Sequence, residues 1–377
     1  MAAINYLTTI EFDAGALRVL SAELKQLKIE RPLIVTDKGV RAAGLLDMVT
    51  ARLGAVEFVV YDDTPSNPTE DAVDKATELY LSSRADGSVA LGGGSAIDLA
   101  KAVALLATHP HPLQQYAAVE GGSAKITSAV APLIAIPTTA GTGSEVGRGS
   151  VIVMKSGRKL GLLSPFLLPK LAICDPELTI GLPAGLTAAT GMDAIAHCIE
   201  TYLAPAINPP AEAIAIDGLR RAIAHIEHAT KDGKDSEARW NMLMAATEGA
   251  VAFQKGLGAV HALSHPLGAV PGLSLHHGTL NAILLPTVMR FNASVVGDKM
   301  QVLAQACGLP ADGDAATFIA DLNVRLGLPQ KLRQIGIQRH MLEPIAELAL
   351  KDHCNLTNPR LPTREDYLQI LENSFYS

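Results

Sequence analysis

The sequence predicts an α/β protein in two parts, an N-terminal half built on a parallel sheet and a C-terminal half that is all helical. Three observations carry this. In the first half, short apolar runs alternate with stretches of helical period, which is the signature of βαβ units. Past Leu182 the strand signals nearly vanish and helical periodicity takes over. The length of 377 residues also exceeds what one hydrophobic core supports, roughly 250–300 residues. The expected boundary gives parts 1–182 and 183–377.

Residues 32–36 (PLIVT) form a strand ending at Asp37-Lys38-Gly39, and a helical pattern follows to Arg52. Residues 56–61 (VEFVVY) alternate with β-rich composition and make the next strand. TPSNP then turns the chain, and Thr69 caps a helix that runs to Leu81. Residues 88–91 (SVAL) lead into Gly92-Gly93-Gly94 and a further helix, and 133–136 (LIAI) is another strand. VIVM (151–154) and LGLLS, separated by Ser156-Gly157-Arg158, predict an antiparallel hairpin attached to the sheet. Helices are expected over PAGLTAATGMDAIAHCIETYLA, 211–229, 235–254, 258–268 and most of 313–376.

Composition excludes several classes. With 48% hydrophobic and 18% charged residues the chain can bury large cores, so disorder is not its main state. A net charge of -7 without a long Lys/Arg cluster argues against nucleic acid as a partner. No apolar run approaches the ~18 residues of a membrane span. The opening MAAINYLTTIEFDAG lacks a basic n-region and carries Glu11 and Asp13, so no secretory leader is expected. Four cysteines (Cys174, Cys198, Cys307, Cys354) without a C-x-x-C fit a reducing compartment, and the expected location is cytoplasmic.

Two loops suit a dinucleotide. Gly92-Gly93-Gly94-Ser95 lies where a strand gives way to a helix, so backbone N–H groups and the helix N-terminus can meet a phosphate. It is not the common G-x-G-x-x-G fingerprint, because Ile97 occupies the third glycine position. Asp98 either faces the cofactor or closes a capping box with Ser95. Thr138, Thr139 and Thr142, in PTTAGTGSE, either contact ribose and nicotinamide or form an ordinary turn. Asp37 at the end of the 32–36 strand either accepts from ribose hydroxyls, which favours NAD over NADP, or caps the next helix.

The helical half carries a histidine constellation. Four of the eleven histidines (His261, His265, His276, His277) cluster, and Asp193 and His197 stand four apart on one helix face. Apolar neighbours surround them, so these faces should be buried, and a buried carboxylate needs compensation. A divalent metal supplies it. One Asp with several His suits Fe(II), Zn or another first-row ion.

GGGSAIDLAK, PTTAGTGSEV, GMDAIAHCIE and GAVHALSHPLGA followed by HHG together resemble the iron-dependent (group III) alcohol dehydrogenase family, in order along nearly the whole chain. The resemblance implies a dinucleotide-binding α/β domain (1–182) and a helical metal-binding catalytic domain (183–377), in the architecture shared with dehydroquinate synthase. It implies Fe(II), or Zn or another divalent ion, held by Asp193, His197, His261 and His277. His277 is preferred to His276 because the family ligand directly precedes the glycine, here Gly278. His265 matches a non-ligand histidine near the nicotinamide and is either a proton relay or a packing residue. VTDKG, TPSNPTE, EGGSAKIT and DHCNLTNPR most resemble 4-hydroxybutyrate dehydrogenases. The implied reaction interconverts 4-hydroxybutyrate and succinic semialdehyde by alkoxide formation at the metal and hydride transfer with NAD. Arg148, Lys159, His353 and Arg360 are candidates for the substrate carboxylate, with a plain surface charge as the other reading of Arg148 and Lys159. The alternatives are dehydrogenases of neutral alcohols or diols, maleylacetate reductases and, more remotely, dehydroquinate synthase-like lyases. Family members commonly form homodimers.

Overall fold

The structure is a computed structural model that describes residues 8–376; residues 1–7, where the opening of the leader reading falls, lie outside the described residues. Two compact units divide the chain. The sheet unit runs to Thr139 and resumes over Gly143–Leu182, while the helical unit comprises Ala140–Thr142 and the chain from Pro183 onward.

The sheet unit contains, in order, β1 (Thr9–Phe12), α1 (Leu20–Gln26), β2 (Pro32–Val35), α2 (Lys38–Ala42), α3 (Leu45–Thr50), β3 (Val59–Tyr61), α4 (Glu70–Ser82), β4 (Gly87–Gly92), α5 (Gly94–Leu106), β5 (Leu133–Pro137), β6 (Gly149–Val153), β7 (Lys159–Leu163) and β8 (Leu171–Cys174). Six strands form one parallel sheet in the order β1-β8-β5-β4-β2-β3. The four inner strands are buried along their whole length, as expected of a parallel sheet covered on both faces. Alternation along them feeds two cores. Leu33, Val35 and Ala90 belong to one, and Ile34, Val89 and Leu91 to the other.

Several expectations change in detail. The helix after Asp37 breaks into α2 and α3 because Gly44, at φ 77°, takes a left-handed conformation. Only Val59–Tyr61 of VEFVVY pairs as a strand. The hairpin β6–β7 is a separate two-stranded sheet rather than an extension of the main one. It is tied to α5 instead. The buried Lys101 ammonium donates to Gly147 O and Gly149 O, both at 2.7 Å, and the Asp98 carboxylate accepts from Val151 N at 2.9 Å. Strands β1 and β8 were not expected, since each is only four residues long and TIEF is half polar.

The helical unit consists of α6 (Ala184–Leu203), α7 (Pro209–Lys231), α8 (Ser236–Ala252), α9 (Ala259–Gly268), α10 (His277–Asn292), α11 (Lys299–Ala306), α12 (Ala315–Arg325), α13 (Leu342–Ala349) and α14 (Arg364–Tyr376), with short 3-10 turns after α8, α12 and α13. Every residue of α6 from Thr187 to Thr201 is buried, so this helix is the unit's axis. The sequence reading omitted α10, which contains Pro286. A proline cannot donate to the carbonyl four residues back. Here the Asn323 amide donates to Ala282 O at 2.7 Å, supplying that bond from α12 and letting α10 continue to Asn292. Among the described residues no strand follows Cys174, and no helix is long and apolar enough to cross a membrane.

Candidate functional site

Three helices bring the histidine constellation to one point. Asp193, His197 and Glu200 recur at helical spacing on α6, His261 and His265 stand one turn apart on α9, and His277 opens α10. Asp193 Oδ1 lies 3.7 Å from His197 Nε2, 3.6 Å from His261 Nε2 and 3.7 Å from His277 Nε2. Donors bonded at ~2.1 Å to a tetrahedral ion stand ~3.4 Å apart. Donor atoms of Asp193, His197 and His261 all lie within 4.8 Å of one another, a set suited to a first-row divalent cation, and His277 approaches Asp193 from α10. His277 is the member of its doublet at this point, whereas His276 is the exposed N-cap residue of α10.

The orientation of these donors is fixed from behind. Glu200 Oε2 accepts from His261 Nδ1, and Oε1 accepts from Val260 N at 2.7 Å. With its proton on Nδ1, His261 presents the Nε2 lone pair to the cluster. The Asn281 amide donates to Asp193 Oδ1 at 2.6 Å and lies 3.2 Å from Nε2 of both His261 and His277, so its two N–H groups can serve Asp193 and one of the two rings. Electrostatics agree. Burial works against ionisation of Asp193, yet the imidazoles of His197, His277 and His261 hold its carboxyl well below the usual range. Burial also disfavours a charged His261, but Asp193 and Glu200 outweigh it and push that ring up to about 9, so a cation that takes the Nε2 lone pair does so by displacing a proton. His197 is pushed down to about 4, chiefly by burial. Buried carboxylates facing several rings are what a cation neutralises.

Gly278 explains how α10 reaches α6. A Cβ there would sit 2.1 Å from Ala189 O, so only glycine lets the first turn of α10 lie against α6 beside His277. His265 stands next to the cluster, its ring 6.0 Å from that of His261. Its Nδ1 lies 2.9 Å from Asp352 Oδ2.

In the sheet unit, strand order reverses between β2 and β4, because the chain leaves β2 toward β3 and leaves β4 toward β5. Ligands of open α/β sheets bind at the carboxyl ends of strands beside such a switch point. Asp37 and the glycine loop stand there. Asp37 Oδ1 accepts from Val40 N at 2.9 Å as the N-cap of α2, so the capping reading is realised. Its Oδ2 faces the loop, 3.5 Å from where a Cβ on Gly92 would be. Gly92 has φ 153°, and a side chain there would strike Ala96 Cβ at 2.8 Å. No side chain caps α5, whose N-cap is Gly93, so its first-turn N–H groups face outward. Gly94 opens this helix, and Thr139 Oγ1 lies 3.2 Å from a Cβ built on Gly93. Thr138 is buried and donates its N–H to Gly92 O. Thr142 is counted with the helical unit.

The capping-box alternative for Ser95 and Asp98 is not realised. Ser95 Oγ donates to Ser66 O at 2.6 Å, and Asp98 accepts from Ser144 Oγ at 2.6 Å and from Val151 N. Asp98 therefore holds the 144–151 segment, and Lys101, one turn further along α5, anchors the same segment. Among the candidate substrate cations, Arg148 is exposed, Lys159 donates to Asn67 Oδ1 at 2.9 Å, and Arg360 pairs with Asp366 at 3.1 Å while stacking 4.0 Å from the Phe291 ring centroid. His353 stacks on His265, with ring centroids 5.5 Å apart.

Sequence reasoning missed Glu200, Asn281 and Asp352. The first two carried a signal, since Glu200 continues the face of Asp193 and His197, and Asn281 follows His277 by one turn. Asp352 is 87 residues from His265, beyond any local pattern.

The profile of the iron-containing alcohol dehydrogenases matches residues 8–176, and that of the Fe-containing alcohol dehydrogenase family, C-terminal, matches 187–375. The chain is 56% identical to the 4-hydroxybutyrate dehydrogenase of Cupriavidus necator, over 99% of this chain and 100% of that protein. It is similar to a solved structure of 1,3-propanediol oxidoreductase, with a TM-score of 0.94, 33% identity and coverage of 99% of this chain and 100% of that one. It is also similar to sulfoacetaldehyde reductase from Bifidobacterium kashiwanohense, solved in complex with NAD+, with a TM-score of 0.89, 26% identity and coverage of 100% and 99%. With both profiles matched in order and an Asp-His-His-His cluster where they meet a metal's needs, the chain belongs to the iron-containing alcohol dehydrogenase family, oxidoreductases that use a metal and a nicotinamide cofactor.

Proposed function

We propose that this enzyme interconverts 4-hydroxybutyrate and succinic semialdehyde, with NAD as hydride carrier and Fe(II) held by Asp193, His197, His261 and His277. The observation that carries the chemistry is the convergence of three imidazole Nε2 atoms on Asp193 Oδ1 at 3.6–3.7 Å. The substrate follows the 56% identical relative. When bound, the ion supplies Lewis acidity toward the substrate hydroxyl and NAD supplies the hydride acceptor.

The chain's own residues do the rest. Asp193 gives the site its negative charge, and Glu200 keeps the His261 lone pair aimed inward. His265 takes the hydroxyl proton on Nε2 as the C–H electron pair leaves with hydride, and returns it in the reverse direction. Gly92, Gly93, Gly94 and Ser95 cradle the pyrophosphate at the N-terminus of α5. Asp37 Oδ2 accepts from the adenosine ribose and repels a 2′-phosphate, which selects NAD over NADP. Thr138, Thr139 and Thr142 supply polar contacts to the nicotinamide half, and Asp98 acts through the loop it anchors. Because Lys159 and Arg360 already have partners, Arg148 is the first candidate to test for the substrate carboxylate.

The proposal includes a division of labour at about residue 182, a homodimer and a cytoplasmic location. The location is supported by four free, buried cysteines; size-exclusion chromatography with light scattering tests the dimer. The activity test follows NADH absorbance after anaerobic Fe(II) loading, with 4-hydroxybutyrate, 1,4-butanediol and 1,3-propanediol, and NADP+ in parallel. A kcat/KM favouring 4-hydroxybutyrate over 1,4-butanediol by tenfold or more is the expected outcome. Preference for the diols overturns the substrate, and preference for NADP+ overturns the role of Asp37.

A further inference from the structure

The helical unit holds a second, partly buried group beside the candidate metal ligands. Donor-capable atoms of His265, Asp352, His353 and Cys354 all lie within 4.8 Å of one another. We propose that Asp352 is a positioning residue that fixes the tautomer and direction of His265, an inference that rests on the reading of His265 as the proton-transferring group.

The hydrogen-bond accounting leads to this assignment. An ionised carboxylate only accepts. Asp352 Oδ1 accepts from Cys354 N at 2.8 Å, and Oδ2 lies 2.9 Å from His265 Nδ1. The proton of a neutral His265 therefore sits on Nδ1, and Nε2 carries the lone pair. Burial alone would favour a neutral Asp352, yet His265 and His353 hold its carboxyl down to about 2, so it stays an acceptor. Side chains of both partners are only 7% exposed, and in such surroundings this charge-assisted bond is not diluted by water.

The ring is also held in its plane. His265 lies between His277, with centroids 5.7 Å apart and planes 8° apart, and His353, at 5.5 Å and 18°. Two stacked neighbours oppose tilting, and the bond to Asp352 opposes spinning about the normal. Nε2 therefore keeps one direction without contributing a metal ligand of its own. The same four side chains resemble a soft metal site, but both Asp352 oxygens serve N–H groups. Burial and Asp352 also push the Cys354 thiol well above its ordinary range, which keeps it protonated.

The decisive variant is Asp352→Asn, which preserves shape. Its single amide oxygen can serve only one of the two N–H donors. If it stays with Cys354 N, the NH2 group faces His265 Nδ1 and selects the tautomer with the proton on Nε2. The expected result is a kcat lower by between about 10²- and 10⁴-fold, with metal stoichiometry and the KM for NAD retained. On a His265→Ala background the same substitution should change kcat by less than about twofold, because Asp352 acts only through His265. Histidine 15N–1H spectra of the Zn-loaded protein should show Nδ1-protonated His265 in the wild type and Nε2-protonated His265 in D352N, whatever the variant's turnover. A crippled H265A with a fully active D352N overturns this proposal alone, as does an equal, additive loss on both backgrounds. Full turnover in H265A overturns the reading of His265 and this proposal with it. A thiolate-to-cobalt charge-transfer band in the Co(II)-loaded wild type, lost in C354S, would make the cluster a metal site and also overturn it.

Discussion

Gly278→Ala should detach the metal without touching a ligand. The added Cβ would lie 2.1 Å from Ala189 O and 2.7 Å from Ala189 C, both backbone atoms of α6 that cannot rotate away. Real Cβ contacts essentially never fall under 3.0 Å, so the first turn of α10 must retreat by at least 0.9 Å from that carbonyl. His277 is the adjacent residue, and its Nε2 is already 3.7 Å from Asp193 Oδ1. Metal–ligand bonds tolerate displacements of only about 0.2 Å. One of four donors is therefore lost. A disturbed supporting residue typically costs 10- to 100-fold in metal affinity, and losing a ligand should cost at least about 100-fold, or about 2.7 kcal/mol of metal-linked stability.

The assay combines metal content after dialysis, by mass spectrometry, with thermal melts recorded with and without Fe(II) under anaerobic conditions. Overpacking itself should cost about 1–3 kcal/mol in both conditions, so the diagnostic quantity is the loss of the metal-induced shift. Two comparisons isolate the cause. His277→Ala should lose the same affinity with no clash, and Gly185→Ala, where nothing lies within 4 Å of the added atom, should leave metal binding unchanged. Wild-type affinity and full stoichiometry in G278A would refute the argument that this close approach positions His277.

Three further outcomes follow from the same physics. Glu200→Gln gives one of its two N–H donors an NH2 group instead of an acceptor, so metal affinity should fall about 10- to 100-fold with an unchanged circular dichroism spectrum. Glu145→Gln should flatten the pH dependence of stability. Burial pushes the Glu145 carboxyl up to about 7, so between about pH 4.5 and 7 the folded chain holds a proton that the unfolded chain has released. Wild-type stability therefore falls as pH rises through that window, by up to about 3 kcal/mol, and urea titrations at pH 5 and pH 8 should differ less in the variant. Asn323→Ala orphans Ala282 O opposite Pro286, and should lower stability by about 1–3 kcal/mol in the same urea titrations.

What the sequence made legible was whatever local spacing encodes. Asp193 and His197, or His261 and His265, meet because a helix returns every 3.6 residues, and the glycine loop announces itself because backbone at a strand end must come close to a ligand. The inner strands were readable because burial on both faces demands unbroken apolar runs, whereas β1 and β8 are too short to stand out. Partners joined by tertiary structure were not readable. Asp98 has a capping-box spacing with Ser95, but its actual partners lie 46 and 53 residues downstream, just before and on the hairpin that α5 anchors. The helix α10 was obscured by Pro286, whose missing hydrogen bond is supplied by Asn323 on another helix. The same holds within the site. Periodicity pairs Asp193 with His197 and His261 with His265, and the family resemblance adds His277, but the carboxylates that face Nδ1 of His261 and His265 lie 61 and 87 residues away from them. Spacing can nominate the atoms that bind a metal or carry a proton. Which nitrogen presents its lone pair is decided by the acceptor behind the ring, and that acceptor is a property of the fold.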